Sequence, residues 1–257
     1  MGLHHLKPIF APKSVAIFGA SDSADSVGKI VFQNMLQSGF QGALYPINPS
    51  HSEIQGCKAY SSISQITETV ELAVIATPAQ SVPDIIVECG KHNVKAAVII
   101  TAGFSETGEA GKALEQTVLE NARRYGIRLI GPNCLGVMRP DIGLNATFNK
   151  GNAIAGNLAF VSQSGALCTA ILDWANISEV GFSSVISMGS SVDVDFGEIL
   201  DYLISDTKTH SILLYIEGIR NARIFMSSIR AAARIKPVIL VKVGRHAAAS
   251  KAAMSHT

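Results

Sequence analysis

A series of short, apolar, β-branched runs, each closed by small or turn-forming residues, constrains this chain more than any other feature. In order they are S-V-A-I-F-G-A-S (14–21), A-L-Y-P-I-N-P (43–49), L-A-V-I-A-T-P-A (72–79), A-A-V-I-I-T-A-G (96–103) and R-L-I-G-P-N (128–133). Continuous runs of this kind mark strands buried on both faces, because helices cover each side of a parallel sheet. Helical patterns of the right length lie between them, at 27–38, 80–91 and 109–125. In the last, Ala113, Leu114, Val118, Leu119 and Ala122 form one apolar stripe. Strand and helix in alternation predict βαβ units and a doubly wound sheet.

After residue 131 the pattern breaks into G-P-N-C-L-G-V-M-R-P-D-I-G-L-N-A-T-F-N-K-G-N (131–152), rich in Gly, Pro and Asn. That composition predicts an irregular linker, with a domain boundary near 140–152. Strands then resume at 158–162, 183–187, 211–217 and 238–242, separated by helices near 165–177, 195–204 and 221–234. The expected fold is α/β throughout. A Rossmann-like domain over 1–140 precedes a flavodoxin-like, parallel-sheet domain over 152–257.

Composition narrows the function. Apolar residues make up 47% of the 257, charged residues 16%, and the formal net charge is +1. Such a chain builds large cores and has no electrostatic reason to bind nucleic acid or an anionic membrane. The N-terminal stretch lacks the apolar core of a signal peptide, and no apolar run approaches the roughly 18 residues that span a bilayer. Cys57, Cys89, Cys134 and Cys168 lie far apart without CxxC spacing. They read as reduced, mostly buried thiols of a cytoplasmic protein rather than zinc ligands.

In an open α/β sheet, ligands bind where the strands end. The loop after the first strand, G-A-S-D-S-A-D-S-V-G-K, places Gly19 at the strand end and Gly28 at the helix start, short of a full G-x-G-x-x-G. Asn48-Pro49, Thr77-Pro78 and Thr101-Ala102-Gly103 end later strands on the same edge, which suits a nucleotide-like ligand. An NAD site is disfavoured, because Ser50 and His51 stand where an acidic ribose ligand belongs. In the second half, F-V-S-Q-S-G-A runs from strand end into helix. Ser162, Ser164 and the amides of Gly165 and Ala166 there suit a phosphoryl or carboxylate oxygen; the alternative is that a serine only caps the helix. The same stretch lacks the glycine that a G-x-S-x-G hydrolase elbow needs before its nucleophile. Glu217 closes S-I-L-L-Y-I-E-G, either solvated or set to hold an N–H partner. Asp193 and Asp195 read as helix-terminus acids, with metal binding as the alternative. His4, His5, His51, His92, His210 and His246 show no ligand or triad spacing and take surface roles by default.

The ordered set G-A-S-x6-G, P-I-N-P, A-T-P-A, I-T-A-G-F-S-E, G-P-N-C-L-G, V-S-Q-S-G, L-L-Y-I-E-G, K-P-V-I-L-V-K-V-G-R and S-H-T resembles the CoA-binding and ligase-like domains of NDP-forming acyl-CoA synthetases. These are relatives of the succinyl-CoA synthetase α subunit. The resemblance covers essentially the whole chain. It implies that Gly19, Ala20, Ser21, Pro46, Asn48, Thr77, Pro78 and Thr101 cradle CoA or acyl-CoA, with Lys29 as a helper for its phosphates. It implies that Ser162, Ser164, Gly165 and Ala166 hold a phosphoryl group, that His256 is phosphorylated, and that Glu217 orients it. A carboxylic acid and CoA are the implied small-molecule partners. ATP or ADP with Mg2+ would enter only through an ATP-grasp domain or β subunit, and homo-oligomers are possible. Ser50 departs from the Lys that many relatives carry after Asn-Pro. The family continues past S-H-T, so the resemblance reads the chain as a piece of a longer protein that ends inside the active site. The stretch from I-L-D-W-A to A-R-I-K-P also resembles fused GNAT-type protein lysine acetyltransferases, which leaves a CoA-binding regulatory region as the second reading.

Overall fold

Strands form where the apolar runs stand, and they assemble into two sheets rather than one. The computed structural model describes residues 5–243. The first sheet contains β1 (Ser14–Phe18), β2 (Ala43–Ile47), β5 (Leu72–Ile75), β6 (Ala96–Ile99) and β7 (Arg128–Ile130), all parallel, in the order β2-β1-β5-β6-β7. A two-stranded ribbon, β3 (Glu53–Ile54) and β4 (Cys57–Lys58), stands apart from it. Every residue of β1, β5 and β6 is buried, as the unbroken apolar runs required. Helices α2 (Val27–Gln37), α3 (Val82–Lys91) and α4 (Glu109–Tyr125) connect these strands. Helix α4 ends at Gly126, whose φ of 68° gives the left-handed turn that stops a helix.

The second sheet has the order β13-β12-β10-β11-β8-β9. Its parallel part consists of β10 (Ala155–Ser162), β11 (Phe182–Ser187), β12 (Ser211–Ile216) and β13 (Val238–Lys242). Helices α5 (Gly165–Ile177), α6 (Phe196–Ser205) and α7 (Ala222–Ala233) alternate with them. The stretch read as an irregular linker is different. It holds β8 (Gly136–Arg139) and β9 (Leu144–Thr147), a hairpin that pairs antiparallel with β11 through Val137↔Ile186 and Met138↔Val185. The second sheet is therefore mixed, not purely parallel. The two strands are four residues each, fully buried, and flanked by Gly, Pro and Asn, so turn chemistry masked them.

The two sheets share one core. Ile17, Val74 and Val98 of the first belong to the same buried cluster as Val161, Ile186 and Leu214 of the second. A short N-terminal helix, α1 (Lys7–Phe10), joins it: Phe10 is fully buried with its ring 4.6 Å from that of Tyr202. Polar contacts fasten the same seam. Asn34 of α2 donates to the carbonyls of Thr147 and Asn149, each at 2.8 Å. Arg128 of β7 meets Asp193 at 2.8 Å and Glu198 at 2.8 Å, and Asp193 also accepts from the Leu129 amide at 2.9 Å.

Arg128, Asp193 and Glu198 are partly buried, so removing the guanidinium takes the cation from two half-shielded carboxylates. Arg128→Met is expected to cost about 3 kcal/mol in denaturant unfolding at neutral pH. Burial alone would raise the Glu198 carboxyl, but hydrogen bonding and charge from Arg128 hold it below its ordinary value. A depressed folded value contributes stability above the unfolded pKa, about 4.3, that is lost as pH falls through the folded one. The wild-type advantage over Arg128→Met should thus shrink on acidification below about pH 4.5, which unfolding curves at stepped pH would check.

Candidate functional site

Both sheets open at their carboxyl ends onto one cavity of about 980 Å³. In each sheet the strand order reverses beside a central strand, between β1 and β5 in the first and between β10 and β12 in the second. Such reversals splay the following loops and leave a crevice. Here two crevices meet.

The first sheet contributes Ala76 and Thr77 after β5 and Ile100 and Thr101 after β6, with Val27 from the start of α2. Thr101 donates through Oγ1 to the Thr77 carbonyl at 2.7 Å, tying neighbouring strand ends. The Thr77 hydroxyl accepts from Ser81 at 2.9 Å. Gly19 has a φ of +84°, and a Cβ there would lie 2.5 Å from the Ala76 carbonyl oxygen. At Gly28 a Cβ would fall 1.8 Å from the Gly19 carbonyl oxygen, so α2 starts in direct contact with the strand-end turn. Only glycine permits either approach. Asn48 clamps this turn, its Nδ2 donating to the Ala20 carbonyl at 2.8 Å and its Oδ1 accepting from the Ser50 amide at 2.9 Å. Pro46 is buried inside β2, and its carbonyl accepts from the Tyr60 amide. Thr77 and Thr101 line the cavity; Gly19, Ala20, Ser21, Lys29, Pro46, Asn48 and Pro78 are not among its lining residues.

The second sheet contributes the start of α5 and the end of β12. Ser164 caps α5, its Oγ accepting from the Leu167 amide at 3.3 Å. The Gly165 and Ala166 amides have no carbonyl ahead of them in the helix, and these three residues line the cavity. Ser162 does not. It is fully buried, its hydroxyl accepting from the Ser164 amide at 3.0 Å and donating to the Ser164 carbonyl at 2.9 Å. Of the four residues expected to gather there, Ser164, Gly165 and Ala166 line the cavity and Ser162 does not, because its hydroxyl is spent on the turn. Glu217 lines the cavity beside Tyr215. Burial, then the Glu217 charge, raises the Tyr215 phenol.

Sequence reasoning missed the third wall. Asn133, Cys134, Leu135 and Phe148 come from the stretch read as linker, Gln163 from the β10–α5 turn and Thr169 from α5. Gln163 stood within V-S-Q-S-G and could have been found from its place between two strand-end serines. Burial pushes the Cys134 thiol up to about 12, so it is an uncharged wall residue. Among the described residues no group of three or more His, Cys, Asp or Glu gathers as a metal site. Asp193, the alternative metal ligand, binds Arg128 instead, and Asp195 caps α6 in a reciprocal capping box with Glu198. His5 sits beside Glu198, Nε2 to Oε1 at 3.4 Å, rather than in solvent. His4, His246 and His256 lie outside the described residues.

The CoA binding domain family matches residues 13–140, and the succinyl-CoA ligase like flavodoxin domain family matches residues 155–257. An ADP-forming acetate–CoA ligase of Methanocaldococcus jannaschii is 46% identical over 254 residues, covering 99% of this chain and 35% of that protein. The α subunit of ADP-forming acetate–CoA ligase I of Pyrococcus furiosus is 41% identical over 256 residues, covering 98% and 55%. Among solved structures, the dinucleotide forming acetyl-coenzyme A synthetase 1 of Ca. Korarchaeum cryptofilum, in complex with phosphate and ADP, superposes with a TM-score of 0.94 at 38% identity, covering 98% and 54%. The chain thus spans about a third to just over half the length of these relatives. They are ligases, and the fused acetyltransferase reading finds no support among them.

The two serines should separate by cost. Ser162→Ala removes the buried hydroxyl that bonds both the part-buried Ser164 amide and the Ser164 carbonyl, and is expected to lose about 2 kcal/mol of stability. Ser164→Ala removes only a cap, worth about 1 kcal/mol. Thermal melts of the two variants would check the order.

Proposed function

Because the chain belongs to the NDP-forming acyl-CoA synthetase family, a CoA-binding unit followed by a succinyl-CoA-ligase-like unit, we propose that it is the CoA-binding part of an ADP-forming acid–CoA ligase. The observation that carries this reading is the single cavity joining Thr77 and Thr101 at one sheet edge to the α5 N-terminus and Glu217 at the other. A long, anionic, bipartite ligand suits such a cavity. CoA would lie along the first sheet edge, over the turn made by Gly19, Ala20 and Ser21, with Lys29, Pro46, Asn48 and Pro78 nearby. Its thioester would reach the start of α5.

There an oxygen of inorganic phosphate attacks the thioester carbonyl. The carbon–sulfur bond breaks, CoA leaves as the thiol with the phosphate proton, and an acyl phosphate remains. A ring nitrogen of His256 then attacks phosphorus, releasing the carboxylate. The partial positive charge of the α5 N-terminus, through the Gly165 and Ala166 amides, stabilises the phosphoryl oxygens before and after transfer. Glu217 accepts the N–H of the other ring nitrogen and fixes the tautomer. His256 follows Val243, a cavity residue, by thirteen positions. Phosphohistidine passes its phosphoryl group to ADP in an ATP-grasp domain or β subunit, which would supply the Mg2+ as well. The reading fits a cytoplasmic enzyme; no helix among the described residues is long and apolar enough to cross a membrane.

Calorimetry should show CoA binding with a Kd on the order of 10 μM; binding of NAD in its place would overturn the reading. With an ATP-grasp partner and labelled ATP, the wild type should carry acid-labile phosphate and His256→Ala none. Equal labelling of both would remove the phosphohistidine.

A further inference from the structure

We propose that Gln163 is a positioning residue for this reaction, holding Glu217 in register with the start of α5; the proposal rests on the reading of Glu217 given above. Gln163 stands between the last residue of β10 and the N-cap of α5. Its own amide makes the final rung to β12, donating to the Tyr215 carbonyl at 3.2 Å. Its side chain then crosses to the same strand. Oε1 accepts from the Glu217 amide at 2.6 Å and from the Gly218 amide at 2.9 Å. On the far side, Lys242 of β13 donates through Nζ to the Glu217 carbonyl at 2.8 Å. The Glu217 backbone is therefore gripped at its N–H from the β10–α5 turn and at its C=O from β13.

The grip matters because of where it sits. Glu217 is the first residue past β12, and Gly218, Ile219 and Arg220 after it are exposed. A strand end leading into an exposed loop is free to fray. One oxygen holding two successive amides prevents that, and it does so from the residue adjoining Ser164, so the carboxylate and the helix N-terminus move as one piece. The amide also explains the residue type. Glutamate could accept the same two bonds but would add a negative charge beside the phosphoryl position, while an apolar side chain would leave both amides without an acceptor.

Two measurements test the proposal. In the isolated chain, hydrogen exchange at the Glu217 and Gly218 amides should quicken about tenfold or more in Gln163→Met and return to near wild type in Gln163→Glu, which restores an acceptor. Unchanged exchange in Gln163→Met would overturn the clamp. In the chain assayed with its ATP-grasp partner, Gln163→Met should slow phosphohistidine formation about tenfold. In a Glu217→Gln background the same change should cost less than about twofold. Equal losses in both backgrounds would show that Gln163 does not act through Glu217, and would overturn the positioning role. Glu217→Gln labelling at the wild-type rate would instead remove the reading of Glu217 on which the proposal stands, whatever the exchange data show.

Discussion

One five-residue loop, Gly131–Leu135, sets the relation between the two sheets, and the cavity depends on it. On one side the Asn133 amide donates to the Thr101 carbonyl at 2.9 Å, and the Cys134 thiol donates to the Ile99 carbonyl at 3.3 Å. On the other, the Leu135 amide donates to the Ser187 hydroxyl at 2.9 Å, and the Pro132 carbonyl accepts from the Ser190 amide at 2.9 Å. The loop thus bonds to the carboxyl end of β6 and to that of β11 at once. Buried backbone groups must find partners, and here the partners lie in different sheets. Satisfying them brings the two strand-end edges face to face.

Given that arrangement, the division of chemistry follows from what each edge offers. The first edge is made of glycine, threonine and small residues bonded to one another, and it presents close backbone and hydroxyl groups over a wide area. The second presents a helix N-terminus, with two amides unmatched inside the helix, and a carboxylate from the next strand. A negative ligand is attracted by the former and repelled by the latter, so placement decides whether the pair is useful. The Gln163 carboxamide and the Lys242 ammonium, both acting on the Glu217 backbone, hold that placement.

The strands and the order of the elements were readable because continuous apolar runs leave few alternatives for a chain of this composition. Turn-rich segments were harder. Gly, Pro and Asn around residues 131–152 spoke for a linker, yet V-M-R inside it pairs with the open edge of β11, and L-N-A-T pairs in turn with V-M-R. Ser162 and Ser164 look alike in V-S-Q-S-G, and nothing in their spacing tells which turns inward. The metal alternative for Asp193 was open for the same reason: its partner, Arg128, lies 65 residues away.

Local pattern therefore determined the βαβ units, the glycines at Gly19 and Gly28, and the identity of the polar residues that end the strands. It also carried an ordered set of motifs specific enough to indicate the family. Tertiary structure alone decided which of those residues meet. Thr77 and Thr101 come to the same cavity as Ser164 and Glu217 because a shared hydrophobic core and the 131–135 loop oppose the two sheet edges. Contacts between residues so far apart in the chain depend on packing and on hydrogen-bond completion, which no local spacing encodes.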